Sequence, residues 1–276
     1  MHIRITDDFD LKKISDSGQC FRVKELPGNI FRFICGNHIL YLEQTGECEY
    51  LADTTPQAWE SLWKSYFDLE RNYGQIRGAI NSEDTYLTEA AECGKGIRIL
   101  RQDPWEMLVT FIISQRKNIP AIRSAVEILC RRYGQELRSS RETLYAFPSP
   151  QALAALSQSQ LRDCGLGYRA PYVADAARQA ASKELDLQLL TDLPDEALLE
   201  RLEAVKGVGI KVASCISLFA YGRTGIAPVD TWIRRVIQER YQGRDPFPGY
   251  GPAAGILQQY MFYHALFHKK EFTGTP

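Results

Sequence analysis

Glu203-Ala-Val-Lys-Gly-Val-Gly-Ile-Lys-Val-Ala-Ser-Cys215, followed by Ala227-Pro-Val-Asp230, is the stretch on which the reading of this chain turns. Two helical apolar patterns flank a Gly-Val-Gly turn, and a lone lysine, Lys211, lies just inside the second. Asp230 follows 19 residues later, at the start of the next helical pattern. Glycines in such a turn leave backbone N–H groups open to a phosphate, a grip that is blind to base identity. An amine beside the partial positive charge of a helix N-terminus gives up its proton more readily, and a neutral amine can attack a sugar C1′ and form a Schiff base. Phosphate grip, amine and carboxylate together point to chemistry on a nucleic acid.

The 276 residues have room for one large domain or two to three small ones, and at 45% hydrophobic they can bury a substantial core. No basic-then-apolar N-terminal segment reads as a signal peptide, and no 18-residue apolar run reads as a membrane span. The expected setting is therefore intracellular: cytoplasmic, and nucleoid-associated through DNA in a prokaryote. A net charge of −1 argues against general coating of DNA but leaves room for a local basic face. Residues 43–92 hold 11 acids against three bases, whereas residues 110–142 hold seven bases against three acids. Seven dispersed cysteines form no C-x-x-C pair, and the four histidines do not cluster with them. A zinc site or four-cysteine iron–sulfur cluster is not expected, and the thiols are expected to be reduced.

Along the chain, residues 1–50 read as β-rich. Ile30–Cys35 and His38–Glu43 are aromatic and β-branched runs split by Gly36-Asn37, a hairpin signal. Ser17-Gly-Gln-Cys-Phe-Arg22 reads as a turn. From Thr55 the period becomes helical, with helices expected over 56–69, 73–80, 118–133, 151–156, 157–164, 172–184, 195–205, 211–221, 231–241 and 255–267. Another opens at Asp103-Pro104, an N-cap followed by proline at the first helical position. The sum is an α+β arrangement: a small β-containing N-terminal domain and then a helical region.

Lys211, read alone, is a phosphate contact or a surface residue. The largely apolar neighbours Val212, Ala213, Ile216 and Leu218 raise its standing as a nucleophile. Asp230 reads first as a helix cap, and a capping carboxylate held by N–H groups is also an anion able to stabilise a developing sugar cation.

The stretch VKGVGIKVASCISLFAYGRTGIAPVD resembles the helix-hairpin-helix, Gly/Pro-rich loop and aspartate of the DNA glycosylase superfamily named for that motif. SGQCFR (17–22), FIISQRKNI (111–119), GLGYRAPYV (165–173) and GPAAGILQQYMF (251–262) resemble its 8-oxoguanine DNA glycosylase branch, in the family's order. The resemblance implies a TBP-like antiparallel N-terminal domain over 1–98 and a two-lobed helical glycosylase region over 99–276, with the cleft between its lobes. It implies Lys211 as nucleophile and Asp230 as supporting carboxylate. It implies a base pocket from Gly18, Cys215, Gln258 and Phe262, the Gly18 carbonyl accepting the N7–H that 8-oxoguanine has and guanine lacks. Phosphates would rest on the N–H groups of Gly207, Gly209 and Val212. Tyr168 and Arg169 resemble the wedge and orphan-base contact, and backbone carbonyls of Glu203, Val205 and Val208 a cation site. No cofactor is implied beyond that cation; the partner is double-stranded DNA carrying an oxidised purine, and the expected state is a monomer.

Three positions depart from the family pattern. Gln115-Arg116-Lys117-Asn118 replaces an asparagine run, Ala121 stands where a second orphan-contacting arginine is usual, and Trp232 stands where a histidine commonly touches phosphate. A relaxed preference for the opposite base is expected, with Arg116 or Lys117 filling the gap left by the flipped base. Two other readings remain open from sequence. One is a monofunctional alkylpurine (3-methyladenine) glycosylase using Asp230 and water, against which Lys211 counts. The other is a non-catalytic DNA clamp, which needs neither Asp230 nor Gln258 and Phe262.

Overall fold

The computed structural model describes residues 1–139 and 141–268; the end of the second expected domain, 269–276, lies outside the described residues. Five antiparallel strands, β1 (His2–Arg4), β2 (Lys24–Leu26), β3 (Ile30–Cys35), β4 (His38–Gly46) and β5 (Glu49–Asp53), form a sheet in the order β1-β5-β4-β3-β2. The β3–β4 hairpin turns at Gly36, which adopts φ +55°, as the Gly-Asn signal predicts. One face of the sheet buries Phe31, Phe33, Leu40 and Leu42 against Trp59, Trp63 and Phe67. Phe67 meets Phe33 edge-on at 5.0 Å. The other face of β3 is covered too: Ile34 packs on Leu137, Leu144 and Ala146, beside a two-stranded ribbon. Burial on both faces explains why β3 does not alternate apolar with solvated residues; its one polar residue, Arg32, is itself buried and paired with Glu142 at 2.8 Å.

The expected helices form, with ends displaced by a few residues. Asp103 caps Pro104–Ser114 by accepting the Glu106 N–H at 2.8 Å, and Asn118 caps Ile119–Tyr133 through the Ala121 N–H at 2.9 Å. Ser157 and Gln160 form a reciprocal capping box on Gln158–Arg162. The hairpin helices are Asp195–Glu203 and Ile210–Phe219, followed by Thr231–Arg240 and Ala254–Phe267. Leu11–Asp16 and Thr85–Cys93 add two helices beyond the expected set. The second packs on Ala254–Phe267 so closely that a Cβ on Gly94 would stand 2.6 Å from the Tyr260 ring. Ala254–Phe267 is buried nearly all round, so its amides Gln258 and Gln259 lie in the interior.

Two buried arginines join the sheet to the helices. Arg98, with no exposed surface, donates to the carbonyls of Asp8, Phe67, Asp68 and Arg71 and to the Asp7 carboxylate, and lies over the Tyr73 ring at 4.2 Å. Arg22 pairs with the buried carboxylate of Glu106 at 3.4 Å and donates to the Tyr145 carbonyl. Replacing Arg98 by Met orphans all of these acceptors and is expected to cost about 3–5 kcal/mol, read from urea unfolding; a loss below about 1 kcal/mol contradicts this account.

Burial pushes the Glu106 carboxyl up from 4.5 to about 7, the nearby Arg22 offsetting it only in part. The folded protein therefore holds a proton that the unfolded chain releases, and stability falls as pH rises from 4.5 towards 7. Glu106→Gln, which keeps an acceptor for Arg22, is expected to flatten that decline, as melting curves across the window will register.

Candidate active site

The hairpin follows from two glycines in different roles. Gly207 has φ +86°, and a Cβ there would stand 2.5 Å from Tyr172 Cγ, so both conformation and space demand glycine. Gly209 is extended (φ −108°) and exposed, with open space around it, and it caps Ile210–Phe219. The first N–H groups of that helix lack intrahelical partners, and no side chain caps them. Gln115, at the end of Pro104–Ser114, donates to the Gly207 carbonyl at 2.9 Å and so ties the 115–118 segment to the hairpin.

From that helix start Lys211, Cys215 and Phe219 descend on one face, four residues apart. They line a narrow slot of about 60 Å³ together with Gly18, Phe111, Pro228, Asp230, Gln258, Gln259 and Phe262. The slot thus unites six residues predicted from sequence that lie as far apart as positions 18 and 262. Lys211 is half-buried, its Nζ 5.6 Å from the centre of the Phe111 ring, which is stacked on Phe219. Asp230 faces it from the start of Thr231–Arg240, accepting the Ile233 N–H at 2.9 Å, so the capping role holds. Burial pushes the Cys215 thiol up, with Lys211 pulling it back in part. It is thus a neutral wall and not a rival nucleophile.

Gln258 is 3% exposed and its Oε1 is buried without a hydrogen-bond partner. A buried acceptor left unpaired costs about 1–3 kcal/mol, which a ligand's donor would recover. Phe262 presses on Gly18: a Cβ there would lie 3.2 Å from Phe262 Cε1.

The slot shares its mouth with a cleft of about 790 Å³ lined also by Arg116, Lys117, Asn118, Gly209, Val212, Trp232 and Arg234. Three of these are cations, suiting a polyanion. Arg116 is exposed and held at φ +52°, a conformation unusual for a residue with a side chain. The Asn118 side-chain oxygen is occupied by its own helix. Tyr168 is 53% exposed, as a wedge would be, but Arg169 is turned inward at 6%. Its guanidinium donates to the carbonyls of Leu166 and Gln115 and lies 4.3 Å from the centre of the Tyr168 ring. Sequence reasoning missed Phe111 and Phe219; the spacing of Phe219, eight residues beyond Lys211, carried the signal.

The N-terminal part matches the family model described as 8-oxoguanine DNA glycosylase, N-terminal domain, over residues 2–108. Residues 109–251 match the HhH-GPD superfamily base excision DNA repair protein model. A probable N-glycosylase/DNA lyase of Methanothermobacter thermautotrophicus is 30% identical over 235 residues, 75% of this chain and 73% of that protein. The 8-oxoguanine glycosylase/lyase of Clostridium acetobutylicum, solved with duplex DNA containing cytosine opposite 8-oxoguanine, superposes with a TM-score of 0.92 at 32% identity, over 97% of this chain and 95% of the other. MBOgg1, solved with a low-affinity DNA ligand, gives 0.93 at 34%, over 97% and 96%. This chain belongs to the HhH-GPD superfamily of base-excision repair proteins, in the branch with the 8-oxoguanine DNA glycosylase N-terminal domain. A 3-methyladenine glycosylase of Archaeoglobus fulgidus shares the fold at 18% identity.

The hairpin geometry separates its two glycines. Gly207→Ala is expected to lose about 1–3 kcal/mol of stability through strain and the Tyr172 contact, whereas Gly209→Ala should melt like the parent; equal melting of both variants would refute the distinction.

Proposed function

We propose that this chain excises 8-oxoguanine from duplex DNA and then cleaves the strand at the abasic sugar. The observation that carries the reading is the convergence of Lys211, Asp230, Gly18 and Gln258 on one slot at the floor of a cationic cleft. DNA phosphates would lie on the N–H groups of Gly207, Gly209 and Val212, with Trp232 at the cleft wall. The damaged nucleotide is flipped into the slot, Phe262 swinging off Gly18 to stack on the base. Tyr168 wedges the stack, and Arg116 or Lys117 fills the gap. Arg169 supports the Tyr168 ring and must leave its carbonyl partners to reach the orphan base.

A guanine-type edge offers N–H donors, which suit the unpaired Gln258 Oε1. The Gly18 carbonyl would accept the N7–H peculiar to the oxidised base, a difference of about 1–3 kcal/mol against guanine. The Lys211 amine attacks C1′ as the C1′–N9 bond breaks; N9 keeps the bonding pair and takes a proton. Asp230 stabilises the positive charge that develops on the sugar. Ring opening then gives a protonated Schiff base, and loss of a C2′ proton expels the 3′ phosphate.

We divide the chain functionally at 98/99, because Arg98 donates into the 67–71 turn while the following residues lead into Pro104–Ser114. One chain supplies the whole slot, so a monomer suffices, and the reaction places the protein with DNA. Among the described residues no helix is long and apolar enough to cross a membrane, and no group of three or more metal-ligating side chains occurs. A cation at the hairpin would rest on the carbonyls of Glu203, Val205 and Val208; Glu203 closes its helix, where carbonyls lack intrahelical partners. With Ala121 in place of an arginine, the opposite-base preference is relaxed.

Two experiments test this. Borohydride should trap a covalent complex with 8-oxoguanine duplex, lost in Lys211→Gln; no trapping by the parent protein would sink the proposal. Single-turnover excision opposite each of the four bases should vary by less than about tenfold, and Gly18→Ala, strained at φ +77° and crowded by Phe262, should excise at least tenfold more slowly.

A further inference from the structure

The Gly18 carbonyl can read a base only if the turn that carries it is held still, and glycine at φ +77° supplies no stiffness of its own. The stiffness comes from three buried glutamines. Gln259 Nε2 donates to the Ser17 carbonyl at 2.7 Å, on the peptide preceding Gly18. Gln102 Nε2 donates to the Gln19 carbonyl at 2.9 Å, on the far side. Gln19 itself bridges back, donating to the Ser17 hydroxyl at 2.9 Å and the Arg98 carbonyl at 2.8 Å while accepting the Leu100 N–H at 2.8 Å. The three are 0–6% exposed, so each bond is made away from water and each carbonyl would be orphaned without it. The peptide plane bearing the Gly18 carbonyl thus lies between two clamped neighbours.

Gln19 and Gln102 clamp the turn to the fold. Gln259 clamps it to the base-reading helix, because its neighbour Gln258 presents the unpaired Oε1 to the slot. Consecutive residues of one buried helix therefore set the distance between the two groups that would face the base, the Gly18 carbonyl and the Gln258 amide. We propose that Gln259, which borders the slot but commits its amide donor to the Ser17 carbonyl, is a positioning residue for lesion recognition, aligning the Gly18 carbonyl with Gln258. This rests on the base-reading role given above to Gly18.

Gln259→Met keeps length and volume but removes the donor, leaving the Ser17 carbonyl unpaired. The test measures single-turnover excision of 8-oxoguanine and, separately, cleavage of a preformed abasic site, which needs Lys211 but no base reading. Excision is expected to fall at least about tenfold, with abasic-site cleavage kept within about twofold and selectivity over guanine reduced. Excision unchanged, or both activities falling alike, overturns the proposal. Should Gln259→Met fail to fold, Gln259→Asn, whose amide is too short to reach Ser17, is read by the same criteria. Gly18→Ala run alongside separates the two readings. If it keeps excision, Gly18 is not the reader; if it loses excision while Gln259→Met keeps it, only the positioning role fails.

Discussion

A guanidinium can be buried only where acceptors meet it in every direction. Arg98 meets that condition with four carbonyls and a carboxylate drawn from residues 7–8 and 67–71, and the ring of Tyr73 covers its face. This holds the β1–α connection, the end of the tryptophan-bearing helix and the strandless segment before Pro104 at one point. The same residue's carbonyl accepts Gln19, and Leu100 donates to Gln19 in turn. The turn bearing Gly18 is thereby fastened to the joint between sheet and helices. Gln102 extends the line, its N–H reaching the Phe219 carbonyl at the foot of the Lys211 helix. The joint, the Gly18 turn and the Lys211 helix are linked by buried hydrogen bonds.

Around this frame the chemistry needs few groups. A helix start delivers Lys211 into an apolar slot between Phe111 and Cys215, and the cap of the next helix delivers Asp230. Both are helix termini, where backbone N–H groups supply partial positive charge and orientation at no cost in flexible side chains. The glycine turn leads directly into the helix that carries Lys211, so under the proposed function seating the DNA backbone and presenting the amine would be one geometric event. Gln115 and Arg169 extend that connection to residues 115–118, through the Gly207 and Gln115 carbonyls.

Much of this was legible in the chain because its signals are local. Pro104 after Asp103, Asn118 before an apolar period and Ser157 with Gln160 each declare a helix start through bonds made within four residues. The Gly36-Asn37 hairpin and the Asp230 cap belong to the same class. Thr85–Cys93 escaped notice because it lies in an acidic, weakly apolar stretch and is ordered by packing on Ala254–Phe267, far away in sequence. The inward turn of Arg169 and the pressure of Phe262 on Gly18 likewise depend on neighbours brought in by folding.

The sequence alone determined the hairpin, the amine inside its second helix, the carboxylate at the next cap and an α+β order of elements, since each follows from backbone preferences and apolar period over a few residues. Only the tertiary structure decided that Gly18, Cys215, Gln258 and Phe262 share a slot with Lys211, that the Gln258 oxygen is left unpaired, and that Gln259 clamps the Ser17 carbonyl. Those are matters of distance between segments as much as 244 residues apart (Gly18 to Phe262). No local preference specifies such distances; they are set by how two cores and a nearly fully buried helix pack together.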